Sequence, residues 1–461
     1  VVGELALDGG FGAKVDLEKV HLKVENMPPW EIWVSESQER MMFTVTPENV
    51  EKVLERCNAW DVEAVTIGKV IAEKRNIVNY NGVEILNLDL EFTTGGPVYK
   101  RPYNLPEYDV GEAAKLPDYP KNMKQQIIDI ISQPEVASKD WVIRQYDHEV
   151  RGKTVLKPIQ GPIGKEVPGD SSVIKPVDDS WKGLALTSDI NPYLMEANPY
   201  HGTMSAVEEV CRNLASVGAR IDSLADCLCF GNPQRPDIMG QFKASCEALR
   251  DAATSVDVPY VSGNVSLYNE TAEGAIPPTP VLMGIGLVND IRKCVTSDMK
   301  EEGTIWIVGK TKEEMGASLY YRTLGLECKN VPTTDFNSFI PRMEQLIQAI
   351  ENNEVRACHD ISNGGLVLSI IEMCMGGTGA EINLDSDLRG DIELFSESNG
   401  RWIVQVAPGF ENDFEKRFDF ARKIGDVNEK IIFKINDEKI AELTIEEVRE
   451  KWTRPIWDRL A

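Results

Sequence analysis

The chain has 461 residues, a length that accommodates two or three domains with substantial cores. Its formal net charge is -25, from 49 basic and 74 acidic side chains. This charge argues against nucleic-acid binding, which requires a basic face, and against binding to an anionic membrane. Nine cysteines without a Cys-x-x-Cys pair, and only four histidines, indicate neither a disulfide framework nor a zinc site. With no long apolar run, we expect a reduced, cytoplasmic protein.

The first hundred residues have the pattern of the tail of an α/β domain. A helix predicted at 47–60 lies between apolar, strand-like runs at 41–45 and 64–67. Residues 101–120 contain prolines at positions 102, 106, 117 and 120, which is typical of a linker.

The remainder of the chain alternates between helical and strand patterns. Residues 121–290 are expected to form a complete domain, with helices at 203–217 and 236–256 and strands at 183–187, 259–265 and 279–288. Gly218 is the predicted C-cap of the first of these helices. Residues 291–461 are expected to form a further domain whose first strand is 303–309.

Part of the pattern occurs twice. Residues 9–17, 35–40, 67–70 and 77–82 are echoed in order by residues 376–384, 396–401, 424–427 and 431–436. Ordered matches at similar spacing predict a duplicated domain. The second copy has a glycine-rich segment, 359–365, before its matching region. We therefore expect the first copy to begin upstream of Val1.

Two segments of the middle domain carry polar side chains beside predicted strands. Asp226 precedes a Gly-Asn-Pro turn, where it could bind Mg²⁺ or a nucleotide hydroxyl, or simply cap the turn. Gly263 interrupts a strand and permits close approach of a ligand, while Asn264 and Ser266 alternate onto one face. The alternative is a solvated edge strand with a bulge at Gly263.

Two further segments have equally open interpretations. Glu36, Ser37 and Gln38 could bind a sugar phosphate or an amide, or could form a hydrogen-bonded turn. Residues 359–365 resemble an anion-binding loop at a helix start. His359 stands beside Asp360 and is either half of a catalytic dyad or, more commonly, a packed side chain with satisfied hydrogen bonds.

Together these segments resemble the synthetase subunits of the phosphoribosylformylglycinamidine synthase family of purine biosynthesis. The resemblance rests on residues 27–31, 35–40, 146–152, 226–233, 261–270, 359–365 and 395–401. It implies an α/β (α+β) fold of duplicated A and B domains, in which the A domains pack sheet against sheet. On this map 1–100 is most of the first B domain, 101–120 a linker, 121–290 the second A domain and 291–461 the second B domain. The first A domain, which supplies the catalytic residue, is expected upstream of Val1.

The resemblance also implies roles for individual residues. Formylglycinamide ribonucleotide would be bound by Glu36, Ser37, Gln38 and Ser266, ATP by Asp226 and Gly263, and Mg²⁺ by Asn264. Cys229 departs from the family, which usually has Asn there, so a polar contact at that position is in doubt. The second, pseudo-symmetric site of the family can hold a structural nucleotide, to which 359–365 would then belong.

The implied reaction is an ATP-dependent amidation. ATP phosphorylates the formyl amide oxygen, and ammonia from a separate glutaminase subunit displaces the phosphate. A small bridging subunit is implied as a further partner. Two alternatives stay open: another ATP-dependent synthetase of the same superfamily, or a non-catalytic nucleotide-binding fragment.

Overall fold

The computed structural model describes residues 2–96, 98–112 and 114–460 and divides into two units, Val1–Lys100 and Arg101–Ala461. In the first unit, helices and strands are α1 (Val2–Asp8), β1 (Gly12–Asp16), α2 (Pro29–Val34), α3 (Val50–Asn58), β2 (Gly68–Ile71), β3 (Arg75–Tyr80), β4 (Val83–Asp89) and α4 (Leu90–Gly95). Its sheet has the order β2-β1-β3-β4. The buried apolar residues form two small clusters, around Ala6, Ala13 and Leu90 and around Leu17, Ile32 and Val78.

The first part of the second unit contains one six-stranded sheet with the order β11-β10-β14-β9-β8-β5 and two short ribbons, β6-β7 and β12-β13. Its elements are α5 (Lys124–Ile131), α6 (Asp140–Ile143), β5 (Thr154–Leu156), β6 (Ile159–Gln160), β7 (Val167–Pro168), β8 (Ser172–Ile174), β9 (Gly183–Asp189), α7 (Pro192–Ala197), α8 (Pro199–Ser216), β10 (Arg220–Cys229), α9 (Pro236–Val256), β11 (Tyr260–Ser266), β12 (Glu270–Thr271), β13 (Gly274–Ala275) and β14 (Thr279–Val288).

The rest of the second unit contains a seven-stranded sheet with the order β16-β18-β15-β19-β17-β20-β21. Its elements are β15 (Thr304–Val308), α10 (Leu319–Thr323), α11 (Phe336–Glu351), β16 (Val355–Asp360), α12 (Gly365–Cys374), β17 (Gly379–Leu384), α13 (Gly390–Phe395), β18 (Trp402–Val406), α14 (Glu411–Arg417), β19 (Ala421–Asn428), β20 (Ile431–Ile435), β21 (Glu438–Leu443) and α15 (Ile445–Leu460).

The two large sheets share one apolar core. Helix α8 lies against β9, β10 and β14 of the first sheet and also against β16 of the second. Residues on one face of the second sheet, among them Trp306 and Trp402, belong to the same buried cluster as α8 and α11. Its opposite face, with Ile305 and Ile403, is buried against α5, α12 and α15. The second sheet is therefore covered on both faces.

The six-stranded sheet is covered on only one face. Along β14, Leu282, Gly284 and Gly286 are buried beneath α8, whereas the residues between them face the other way. On that other face Met283 and Leu287 are 37% and 48% exposed. The uncovered face is thus apolar and open in this chain.

The structure confirms the duplication at the level of strand order and register. Strands β19-β17-β20-β21 repeat the order and directions of β2-β1-β3-β4. Val15 pairs with Gly68, and Ile382 pairs with Gly425. A Cβ added to either glycine would lie 2.2 Å from a carbonyl oxygen of the neighbouring strand. The matching glycines are therefore required by the same close approach of two strands.

The register corrects one of the predicted echoes by a single residue. Residues 77–82 match 432–437, and not 431–436 as aligned from the sequence, because Ala13 pairs with Asn76 whereas Ala380 pairs with Ile431. With this shift, Asn81 and Asn436 occupy the same turn position, both with positive φ. Asparagine tolerates this left-handed conformation better than most residues do.

Most predicted elements are confirmed, and two in the first unit are wrong. Helix α9 has the predicted bounds, and α3 lies inside the predicted segment 47–60. Residues 41–45 and 64–67 form no strand. The linker has no helix or strand in the described parts of 101–120, but Tyr108 stacks on Tyr200 of α8 at 4.7 Å. Among the described residues, no helix is long and apolar enough to span a bilayer.

Candidate functional site

The parallel pairing of β10 and β11 gathers the predicted residues of the middle domain at one edge of the six-stranded sheet. Asp226 lies opposite Gly263, Cys227 opposite Asn264, and Cys229 opposite Ser266. Strand β11 is the outermost strand of that sheet and is largely exposed. A ligand can therefore approach Gly263 and Asn264 of β11 from solvent.

Asp226 and Gly263 form a tightly fitted pair. A Cβ on Gly263 would lie 3.0 Å from the Asp226 Oδ1 atom, so any larger residue would press against the carboxylate. Burial raises the pKa of Asp226, and the backbone N–H of Asn264, which donates to this carboxylate, acts in the opposite direction. The carboxylate is thus held in place at the strand edge by its neighbours.

Asn264 offers an amide oxygen on the opposite face of β11. Its Nδ2 donates to Cys227 Sγ at 3.4 Å, which leaves Oδ1 as the free acceptor of the amide. Amide oxygens suit Mg²⁺, which keeps several waters and takes further ligands from substrate phosphates. The exposed position of Asn264 fits such a role, with the other ligands supplied from elsewhere.

Ser266 is positioned by a small network at the end of β11. Its Oγ is 3.2 Å from Asn269 Oδ1, and the Asn269 Nδ2 atom donates to the backbone oxygens of Phe230 and Ser266. These contacts join the ends of β10 and β11. The hydroxyl of Ser266 is consequently held at the same sheet edge as Asn264.

Glu36, Ser37 and Gln38 lie in the first unit, on an exposed segment after α2. Ser35 Oγ is 2.9 Å from Ser37 Oγ, and Gln38 Nε2 donates to the backbone oxygen of Glu36. Arg40 closes the turn by donating to the backbone oxygens of Ser35 and Ser37. The three side chains are therefore presented on an ordered turn, and their role stays a prediction.

The segment 359–365 is part of a buried charge cluster. His359 is hydrogen-bonded through Nδ1 to Asp170 at 2.6 Å and through Nε2 to Glu372 at 3.0 Å. Burial alone would lower the pKa of His359, but Asp170 and Glu372 hold it well above its ordinary value. Both ring nitrogens are thus engaged, which favours the packed side chain over a catalytic dyad.

Arg212 of α8 is the central cation of this cluster. Its guanidinium donates to Asp360 at 3.2 Å and Glu208 at 2.6 Å, and lies 3.0 Å from Glu209. Ligand atoms of Asp170, His359 and Asp360 lie within 4.8 Å of one another, as in a metal site. Arg212 contacts Asp360 and His359 contacts Asp170, so side chains of the chain itself already occupy these two acids.

Backbone N–H groups of the loop beside this cluster also have a hydrogen-bond acceptor within the chain. Glu397 Oε1 accepts hydrogen bonds from the backbone N–H groups of Gly364 and Leu319, both at 2.8 Å. Burial raises the pKa of Glu397 to about 7, although these N–H groups act against the shift. The adjoining cavity, lined by Asp189, Asn363 and other polar residues, measures about 10 Å³. It has room for one water at most.

The sequence patterns did not predict most contacts of the buried charge cluster around His359 and Arg212. Arg212 follows Glu208 and Glu209 at helical spacing, which is a visible signal for an ion pair on one helix face. Its other partner, Asp360, is 148 residues away and carries no such signal. A larger cleft of about 760 Å³, lined by Gln126, Glu135 and Arg322, contains none of the predicted site residues.

Comparison with known proteins identifies the family. The AIR synthase related protein C-terminal domain matches residues 1–81 and 328–436, and the corresponding N-terminal domain matches residues 168–288. The chain is 34% identical to phosphoribosylformylglycinamidine synthase subunit PurL of Thermoplasma volcanium over 97% of its length, and 37% identical to that of Thermococcus sibiricus over 97%. It spans 60% and 61% of these relatives.

Solved structures share the fold. The chain aligns with "T. maritima PurL complexed with ATP" at a TM-score of 0.63 and 22% identity, covering 93% of this chain and 61% of that one. It aligns with "T. maritima PurL complexed with FGAR" at a TM-score of 0.62 and 22% identity, covering 93% and 59%. At this identity the likeness establishes the fold. The two domain matches, which together cover residues 1–81, 168–288 and 328–436, show that the chain belongs to the AIR synthase related family.

Proposed function

We propose that this chain is part of an ATP-dependent synthetase that converts formylglycinamide ribonucleotide to the amidine in purine biosynthesis. The observation that carries the proposal is the register of β10 and β11, which brings Asp226, Gly263, Asn264 and Ser266 to one exposed sheet edge. The relatives named above align with this chain over 97% of its length, at 34% and 37% identity.

In this proposal the sheet edge binds the nucleotide and the metal. Asp226 and Gly263 contact ATP, Asn264 binds Mg²⁺ through Oδ1, and Ser266 contacts the ribonucleotide. Glu36, Ser37 and Gln38 of the first unit are proposed as further ligands of formylglycinamide ribonucleotide. The solved relatives complexed with ATP and with FGAR support these ligand classes.

The residues position the reactants more than they take part in covalent steps. ATP phosphorylates the formyl amide oxygen, and ammonia then displaces the phosphate to give the amidine. Mg²⁺, when bound, neutralises charge on the transferred phosphoryl group. The chain's own contribution is to hold the nucleotide beside Asp226 and Gly263 and to hold the substrate at the Ser266 hydroxyl.

Partners and domain organisation follow from the same family membership. We propose that ammonia comes from a glutaminase subunit and that a small bridging subunit joins the assembly, in the cytoplasm. The relatives named above are described as subunits, which supports an assembly of more than one chain. An upstream A domain, carrying the catalytic residue, would cover the apolar face that includes Met283 and Leu287.

The test uses the full-length protein with that upstream domain, supplied with formylglycinamide ribonucleotide, ATP, Mg²⁺ and high ammonium, so that no glutaminase is needed. Asn264→Ala is expected to lower turnover and to raise the Mg²⁺ concentration required for half-maximal rate. Asn289→Ala, an exposed asparagine that is hydrogen-bonded to Glu351 outside the site, is the matched control and should match the wild type.

The alternatives predict other results in the same assay. Turnover only with a different amide or ribonucleotide would indicate another synthetase of the superfamily. ATP binding without any product would indicate a non-catalytic protein. An unchanged Mg²⁺ titration for Asn264→Ala would remove Asn264 from the site.

A further inference from the structure

The turn after β11 is anchored on the end of β10 by backbone hydrogen bonds. Strand β11 ends at Ser266. The backbone N–H of Tyr268 donates to the oxygen of Gly231 at 3.0 Å, and that of Asn269 donates to the oxygen of Phe230 at 3.1 Å. Tyr268 has a φ of 63°, a left-handed conformation that is uncommon outside glycine and persists where the surrounding contacts enforce it. The turn therefore holds Asn269 in a defined place beside Ser266.

The side-chain amide of Asn269 has one orientation that fits its surroundings. Its Nδ2 atom lies 3.0 Å from the backbone oxygen of Phe230 and 2.9 Å from that of Ser266. Both oxygens are acceptors, so they take the two hydrogens of Nδ2, and a reversed amide would place Oδ1 against two oxygens. Oδ1 consequently faces the Ser266 hydroxyl, at 3.2 Å.

This orientation decides which way the Ser266 hydroxyl points. A hydroxyl has one proton and two lone pairs, and the Ser266 proton is donated to Asn269 Oδ1. Asn269 Nδ2 lies 3.1 Å from the same hydroxyl oxygen, but an amide nitrogen does not accept that proton. Ser266 Oγ thus presents a lone pair to a ligand. The oxygens of an ionised phosphate only accept and do not match it, whereas a ribose hydroxyl or an amide N–H does.

We propose that Asn269 is a positioning residue that fixes Ser266 as a hydrogen-bond acceptor, so that Ser266 recognises the ribonucleotide through a ribose hydroxyl or an amide N–H and not through its phosphate. This inference rests on the proposed function, in which Ser266 contacts that substrate. Turning the hydroxyl towards a phosphate would break its bond to Asn269 Oδ1 and leave a partly buried acceptor unpaired.

The experiment uses the full-length protein in the ammonium-dependent assay described above. Ser266→Ala should raise the KM for formylglycinamide ribonucleotide by about 5-fold and leave kcat unchanged, because the lost hydrogen bond is made equally before and during the reaction. Inhibition constants are then measured for the dephosphorylated ribonucleoside and for analogues that lack one ribose hydroxyl or carry a methylated amide nitrogen. Ser266→Ala should weaken binding of the ribonucleoside by the same factor. It should not weaken binding of the one analogue that lacks the donor, which identifies the group.

A second variant tests the role of Asn269. Asn269→Ala should raise the KM by about 3-fold, the statistical cost of selecting one of three staggered hydroxyl orientations. In the Ser266→Ala background the same substitution should have no further effect on KM, whereas a merely structural role would persist in both backgrounds. Ser255→Ala and Asn289→Ala, at exposed positions hydrogen-bonded to Asp251 and Glu351, are the matched controls and should follow the wild type.

Circular dichroism verifies that each variant is folded. If Asn269→Ala does not fold, Ser266→Ala and the analogues decide, because Ser266→Ala keeps the contacts of Asn269 with the two strand ends. An effect of Ser266→Ala that is absent with the ribonucleoside reveals a phosphate contact and overturns the inference. An unchanged KM in Ser266→Ala, or an undiminished effect of Asn269→Ala in the Ser266→Ala background, overturns it as well. Failure of the wild type to form amidine would instead contradict the proposed function, and this inference with it.

Discussion

The segments 35–40 and 396–401 form the same turn in opposite surroundings. In both, two serine hydroxyls meet, at 2.9 Å in the first copy and 2.8 Å in the second. In both, the closing arginine, Arg40 or Arg401, donates to the backbone oxygens of the same two serines. Yet Arg40 is exposed and Arg401 is fully buried. The turn is therefore encoded locally, whereas its burial depends on the surrounding structure.

The difference in burial continues into the residues that follow the turn. Trp402 begins β18, which lies between β15 and β16 in the sheet. Both of those strands precede α12 in the chain, and α12 corresponds to α1 of the first unit. The described chain holds no counterparts of these strands, so residues 41–45 have no strand to pair with. Met41 and Phe43 are accordingly 84% and 67% exposed.

The largest predicted difference between the copies concerns Trp402 and Met41. Trp402 is fully buried, stacks on Phe339 at 5.6 Å and donates to the backbone oxygen of Arg212. Trp402→Ala should lower the free energy of unfolding of the second unit by about 3 to 5 kcal/mol. Met41→Ala should change stability by less than about 0.5 kcal/mol. Urea unfolding followed by circular dichroism measures both, and equal effects would contradict the comparison.

A smaller difference is expected for the two turn arginines. Arg401 also donates to Thr311 Oγ1, and burial lowers its pKa to about 10. Arg401→Met would leave several buried acceptors without a donor and should cost about 3 kcal/mol. Arg40→Met removes hydrogen bonds from an exposed turn and should cost less than about 1 kcal/mol. The same urea titrations test this pair, and a comparable loss in both copies would mean that the turn itself, not its burial, sets the cost.

The paired glycines provide the converse prediction, in which the copies behave alike. In Gly68→Ala and Gly425→Ala, the new methyl group would lie 2.2 Å from the backbone oxygen of Lys14 or Glu381. We expect each substitution to destabilise its own unit by about 2 kcal/mol, because a strand must shift to admit the side chain. Gly82→Ala is a control with open space around the added Cβ, although its positive φ adds some strain. Hydrogen exchange of the amides in each sheet separates the two units, and an effect in only one copy would show that their registers differ.

Features governed by nearby residues were predictable from the sequence, whereas those requiring distant partners were not. Helical periodicity identified α9 with its correct bounds, and the ordered repeats of whole segments predicted the duplicated domain. The apolar run 41–45 was wrongly predicted as a strand, because its pattern contains no information about the availability of a neighbouring strand.

In the candidate site, too, the arrangement of residues along one strand was predictable from the sequence, whereas contacts between distant segments were not. The alternation of Asn264 and Ser266 along one strand was sufficient to place them on one face. The pairing of that strand with Asp226 of β10 had to come from the structure. The contacts of Arg212 with Asp360 and of Glu397 with Gly364 join segments that no local pattern relates.

The smallest predicted effect concerns the pH dependence that Glu397, the acid of the buried turn, contributes to stability. The ordinary pKa of Glu397, 4.5, is raised to about 7 in the folded chain, primarily by burial, while Arg322 and Arg401 act against the shift. Between these values the folded state keeps a proton that the unfolded state has lost. The free energy of unfolding should therefore decline as pH rises from about 4.5 to about 7.

Glu397→Gln cannot titrate, and it retains an oxygen that accepts hydrogen bonds from the backbone N–H groups of Gly364 and Leu319. Because part of the residue stays accessible to solvent, we expect the variant to gain roughly 1 kcal/mol over the wild type at neutral pH and nothing at pH 4. Burial also raises the pKa values of Glu208 and Asp189, so the informative quantity is the difference between variant and wild type. A stability difference for Glu397→Gln that stays constant from pH 4 to 8 would show that Glu397 keeps the same protonation state when the chain unfolds.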